Sequence, residues 1–130
     1  MKFAIVVNGA PWASEAPMSA LRFANACRDS GHEIIRVFFY HDGVYTGHAN
    51  PAPPQDETDI TAAWRDFQKT SGCELIICVA SALRRGMLDA AEAERYEKPA
   101  ATIDPAFTIS GLGQLIDAGL NADRLVTFHG

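Results

Sequence analysis

Glu74-Leu75-Ile76-Ile77-Cys78-Val79-Ala80, followed at once by Ser81-Ala82-Leu83-Arg84-Arg85-Gly86, is the stretch that decides the fold. Its first half is an apolar, β-branched run with Gly72 before it and a polar helix start after it. That pattern reads as a strand buried on both faces, the habit of a parallel sheet. Reactive and ligand groups in open parallel sheets collect outside the carboxyl ends of such strands. Cys78 stands at that end. The helix expected from Ser81 onward points free N–H groups and its positive dipole end toward the thiol, and both favour a thiolate. Arg84 and Arg85 add positive charge within the next turn or two. The position makes Cys78 a candidate for chemistry at sulfur, set against the plainer alternative of a core cysteine, since free Cys is among the most buried residue types.

Outward from this stretch, strands alternate with helices. A first strand is expected over residues 2–8, and a helix from Pro17 to Ser30, carrying Leu21, Phe23, Ala24 and Cys27, is stopped by Gly31. Ile34-Ile35-Arg36-Val37-Phe38-Phe39-Tyr40 reads as the second strand. Ile60, Ala63, Trp64 and Phe67 recur at helical spacing over Asp59 to Thr70, a core face. After the Cys78 strand, a helix is expected from Ser81 to Tyr96, interrupted at Gly86. An extended piece near Phe107, a helix over Leu112 to Ala118 and a last strand, Arg124-Leu125-Val126-Thr127-Phe128, complete the chain. The order implies an α/β fold: a flavodoxin-like three-layer sandwich around a mostly parallel sheet of about five strands, a single domain over residues 1–130.

Composition bounds the function. The chain has 130 residues, 48% of them hydrophobic and 21% charged, enough to bury one core without staples. A formal charge of −5 argues against direct nucleic-acid binding, which rests on clustered Lys and Arg. No run approaches the ~20 apolar residues of a membrane span, and the N-terminal apolar run lacks a small-residue cleavage site, so a cytoplasmic protein is expected. Three cysteines, Cys27, Cys73 and Cys78, make an odd count that fits a reducing compartment. Along one extended segment Cys73 and Cys78 lie roughly 16 Å apart on opposite faces, too far to bridge. Cys27 reads as helix core and Cys73 as incidental at a strand entrance. No CxxC or HExxH stands in the chain, and its four histidines are scattered, so no metal is expected. The loop Asn8-Gly9-Ala10-Pro11-Trp12 is neither GxGxxG nor GxxxxGK[ST], and no cofactor is expected.

One segment breaks the alternation. Residues 41–59 are rich in Pro, Gly and acid and read as a long loop. Loops above about 12 residues in compact domains are usually functional or mobile. This one starts on the Cys78 edge of the sheet, where it is expected to wall the thiol or meet a partner through an exposed Tyr45 ring, against the alternative of a flexible surface loop.

Lys2-Phe3-Ala4-Ile5-Val6-Val7, Gly31-His32-Glu33, Val37-Phe38-Phe39-Tyr40, Gly43-Val44-Tyr45, Ile77-Cys78-Val79-Ala80-Ser81-Ala82-Leu83-Arg84-Arg85-Gly86, Phe107-Thr108-Ile109-Ser110-Gly111-Leu112-Gly113 and Asp123-Arg124-Leu125-Val126 together resemble DsrE/TusD proteins, over essentially the whole chain. The resemblance implies a sulfurtransferase in which the cysteine matching Cys78 carries a persulfide, taking sulfane sulfur from an upstream carrier protein and passing it to a downstream one. It further implies a heterohexamer with two related subunits, DsrF-like and DsrH-like, named DsrEFH in sulfur oxidisers and TusBCD in the tRNA 2-thiouridine route. By whole-chain likeness the sequence is nearer to DsrE. Ser81, Arg84 and Arg85 are the expected thiolate environment: Ser81 as helix cap or persulfide hydrogen-bond donor, the arginines as local positive charge or else solvated or bound to a partner protein's acids. No His or carboxylate adjoins Cys78 in sequence, which suits sulfur exchange better than hydrolysis. Two other readings stand beside this one: a docking subunit with Cys78 in its core, and a small-ligand flavodoxin-like module.

Overall fold

The computed structural model describes residues 1–130. Five strands, β1 (Lys2–Val7), β2 (Glu33–Phe39), β3 (Glu74–Cys78), β4 (Thr108–Ser110) and β5 (Arg124–Phe128), form one all-parallel sheet in the order β4-β3-β2-β1-β5. The chain steps outward from β1 to β4, then returns to the other side of β1. Right-handed crossovers therefore place α1 (Ala16–Asp29) and α2 (Ile60–Ser71) against one face and α5 (Gly113–Asn121) against the other. The result is the α/β three-layer sandwich expected from the sequence, flavodoxin-like in architecture.

Local chemistry sets the helix ends. Pro17 in the first turn and Gly31, whose φ of 83° ends the run, bound α1. The Asp59 side chain accepts the Ala62 N–H at 3.1 Å to start α2, and Gly72 at φ 71° closes it. The face of α2 expected to be core is core: Trp64 is fully buried, its indole N–H donates to the Pro17 carbonyl, and its ring meets Phe39 edge-on.

The opposite face is thinner. Arg36 projects from β2 toward α5, where its Nη1 donates to the Gln114 carbonyl and to Asp117 at 2.9 Å, while Nε donates to Glu74 of β3. This ion cluster pins the single covering helix to the sheet. Outside it, Leu112, Ile116 and Leu120 of the α5 segment and Leu125 of β5 stay exposed.

Two sequence expectations are corrected. Residues 41–59 are not one loop, because His41–Gly47 forms a 3-10 helix, η1, with Gly43, Val44, Thr46 and Gly47 buried; only residues 48–59 are irregular. Tyr45 is half-buried against the core rather than exposed. Tertiary packing makes this helix: a Cβ on Gly43 would collide with the Val7 carbonyl, one on Gly47 with Ile77, and Thr61 donates its hydroxyl to the Thr46 carbonyl. The helix expected over Ser81 to Tyr96 is two short ones, α3 (Val79–Arg84) and α4 (Ala90–Arg95). Gly86 at φ 76° ends the first, Met87 and Leu88 turn into the core, and Asp89 caps the second by accepting the Glu92 N–H.

Because η1 exists only through these close approaches, Gly43→Ala is expected to lower the unfolding free energy by about 1–3 kcal/mol, the usual cost of overpacking. Urea unfolding of the two proteins measures it, and equal midpoints would show that η1 yields without penalty.

Candidate functional site at the carboxyl edge of the sheet

Cys78 is the last residue of β3, paired in register with Ser110 of β4, and its extended backbone (ψ 123°) passes directly into α3. The residue is 2% exposed. Strand alternation puts it on the side of Ile76, whose register partner on β2 is Phe38. Beyond Phe38 the chain stays extended to Tyr40, whose N–H donates to the Val7 carbonyl and whose ring packs edge-on to Phe38. Tyr40 thus occupies the position beside Cys78 on the neighbouring strand, on the same side of the sheet.

His41 then turns the chain. Its φ of 49° lies in the left-handed region, a strained setting for a residue with a side chain. Its ring stacks on Tyr40 at 4.0 Å, 8° from parallel. Its backbone N–H donates to the Ser81 hydroxyl at 3.1 Å, and the next residue, Asp42, accepts from Arg85 Nε at 2.9 Å. These two contacts tie η1 to α3 and close the sheet edge over the end of β3.

The expected site residues separate at this point. Ser81 is not a helix cap: α3 begins two residues earlier, Cys78 itself holds the cap position, and the Ser81 hydroxyl oxygen accepts from the His41 N–H. Arg85 is spent on Asp42 and on the Ser81 carbonyl, so its charge is neutralised at the edge. Arg84 is exposed and forms no ion pair. The helix that follows the thiol, α3, has six residues, and Cys78 holds the N-terminal position beside its first-turn N–H groups. Tyr40 was not among the expected site residues, while His41 and Asp42 open the segment expected to wall the thiol. The signal for Tyr40 was available, since it directly follows an apolar strand, and strand ends in a parallel sheet share one edge.

The other two thiols stand elsewhere. Cys27 is buried in α1, where burial raises its pKa. Cys73, at the amino end of β3, is core rather than incidental, and burial first, then the adjacent Glu74 carboxylate, push its thiol up to about 12. All three are free. No group of three His, Cys, Asp or Glu side chains is arranged to hold a metal, and no helix is long and apolar enough to cross a membrane.

A model of the DsrE/DsrF-like family matches residues 1–128. The chain belongs to that family. It is 50% identical over 130 residues to a Pseudomonas aeruginosa protein named sulfurtransferase TusD homolog, covering all of this chain and 98% of the relative. It is 48% identical over 128 residues to the DsrE protein of Allochromatium vinosum, covering 98% of each. Sulfurtransferase TusD of Salmonella enteritidis is 46% identical over 128 residues, 98% of this chain and 100% of the relative. Among solved structures, the YchN protein of Escherichia coli superposes with a TM-score of 0.78 at 25% identity, over 98% of this chain and 99% of that one. The expected leaning toward DsrE over TusD is not separated by identities of 50% and 48%.

The shifted thiol gives a pH prediction. Cys73 keeps its proton in the folded chain up to about 12, whereas the unfolded chain releases it near the ordinary thiol value of 9.0, so unfolding sheds a proton between these limits. Stability from this group is whole below about 9 and falls as pH rises toward 12. Unfolding by denaturant from pH 8 to 11 is expected to show a steeper alkaline loss in the native protein than in Cys73→Ala. Parallel curves would contradict the burial argument.

Proposed function

We propose that the protein is a sulfurtransferase subunit that carries sulfane sulfur as a persulfide on Cys78 and relays it between carrier proteins. The observation that supports this most is placement. Of three thiols, only Cys78 lies at the carboxyl edge of the parallel sheet, where such folds do chemistry. Relatives that align along the whole chain are named sulfurtransferases.

The step balances as an exchange. The Cys78 thiolate attacks the outer sulfur of a donor persulfide, a new S–S bond forms as the old one breaks, and the electron pair leaves with the donor thiolate. Delivery to an acceptor thiolate repeats the exchange in reverse roles. No water is activated, so no general base is required, and Asp42, the nearest carboxylate in the constellation, is held by Arg85 instead. With Cys78 2% exposed, the edge must open at the His41–Ser81 and Asp42–Arg85 contacts for sulfur to pass. Docking of a carrier there is the natural trigger.

We read the chain as one subunit of a cytoplasmic heterohexamer with DsrF-like and DsrH-like subunits; what the apolar surface, with Ile116 64% and Leu120 81% exposed, supports is association with a partner. Sulfur oxidation and tRNA 2-thiouridine synthesis are equally supported as the route served. The burial of Cys78 favours one second reading, a docking subunit whose chemistry lies on another chain.

Intact-mass spectrometry after incubation with a sulfane-sulfur donor, then with dithiothreitol, separates the two. Gain of one sulfur mass that is lost on reduction and absent from Cys78→Ser is the expected result. A native protein that stays unmodified even with its partner subunits present would leave docking as the role.

A further inference from the structure

The strand order opens a crevice at the carboxyl ends of β1 and β5, because the chain steps from β1 out to β4 and then returns to the other side of β1. Open parallel sheets bind their ligands at such reversal points. A depression of about 560 Å³ lies there, walled by the β1–α1 loop with Asn8 and Ser14, the start of η1 with His41 and Asp42, and His129 after β5. Its lining holds no Lys or Arg, and Asp42 is its only Asp or Glu. Acceptors are in surplus: Asn8 Oδ1 is buried without a partner, and the Asp42 carboxylate accepts one hydrogen bond, from Arg85. Backbone strain gathers at the same place. Of the three non-glycine residues at positive φ, Trp12 at 65° and His41 at 49° belong to the two segments that wall the crevice. An acceptor-rich crevice without cations, in a chain of net charge −5, is complementary to a basic side chain.

We propose that this crevice docks the sulfur-carrier protein by receiving one of its lysine or arginine side chains, which bonds Asp42 and draws it off Arg85. The inference rests on the carrier reading above and adds where the carrier sits and the charge it presents. The exchange is easy because Arg85 keeps the Ser81 carbonyl as an acceptor when Asp42 leaves, so no guanidinium is stranded. Asp42 adjoins His41, whose N–H holds the Ser81 hydroxyl one turn of α3 past Cys78. The contact that seats the carrier is therefore the one that loosens the cover over the thiol, and the strained His41 backbone favours the release. The carrier's persulfide reaches Cys78 through the opened edge between η1 and α3. The crevice supplies recognition, and the sulfur exchange itself proceeds as described above.

Two peptide persulfides stand in for the carrier: the cysteine persulfide of Ac-Gly-Arg-Gly-Cys-Gly-Arg-Gly-NH2 and that of its citrulline counterpart, which share the reacting bond and differ in charge. Loading of Cys78 at low ionic strength is followed by intact mass, with each rate divided by that of the same peptide toward N-acetylcysteine. The expected result is a preference of about threefold for the arginine peptide, the scale of an exposed charge contact. The preference disappears in Asp42→Asn and persists in Asp42→Glu, which keeps the charge. Because it is a ratio within one variant, any change in Cys78 exposure when the latch is cut cancels. Equal normalised rates in the native chain, or a preference that survives in Asp42→Asn, overturn the docking assignment and leave Cys78 as a carrier. Failure of both peptides to load Cys78, in the native chain and also in Asp42→Asn, overturns the carrier reading and the dock with it.

Discussion

Parallel pairing of β3 with β2 on one side and β4 on the other is the constraint on which the site depends. The ladder runs from Arg36↔Glu74 through Phe38↔Ile76 and ends at Cys78↔Ser110. Because all five strands point the same way, their carboxyl ends and the segments that leave them meet along one edge. Cys78, Tyr40 and the His41–Asp42 turn are brought together by that geometry alone, from positions nearly forty residues apart. Shifting β3 by one residue would carry Cys78 to the opposite side of the sheet, since side chains alternate with a period of two.

The same edge is closed as well as assembled. η1 folds back over the end of β3, packed through Gly43 and Gly47 and latched to α3 by the Ser81 and Arg85 contacts. Cys78 is thereby left 2% exposed in the isolated chain. The latch is cheap to open, since the Asp42 side chain is 60% exposed and exposed ion pairs contribute little, in the range of about 0–1 kcal/mol.

Much of this was legible in the sequence because period and punctuation carried it. The five strands, α1, α2 and α5 follow from apolar runs, helical spacing and the stops at Gly31 and Gly72, and the position of Cys78 follows from the strand it ends. Two features were not. η1 has no periodic signature; it forms because two glycines let its backbone reach Val7 and Ile77, a long-range fact that no local pattern encodes. The helix start slipped two residues toward Cys78, which turned Ser81 from an expected cap into an acceptor for His41, and the expected long helix is broken at Gly86. Arg85 looked free because its partner, Asp42, lies on a different element. Of the two charges assigned to the thiol from sequence distance, Arg85 is already paired in space and Arg84 is exposed without an ion pair.

The most direct test of the account is a crystal structure of the protein after loading with a persulfide donor. One additional sulfur bonded to Cys78 Sγ, with Cys27 and Cys73 unmodified, is the predicted result. Added sulfur on Cys27 or Cys73 with Cys78 bare would contradict it.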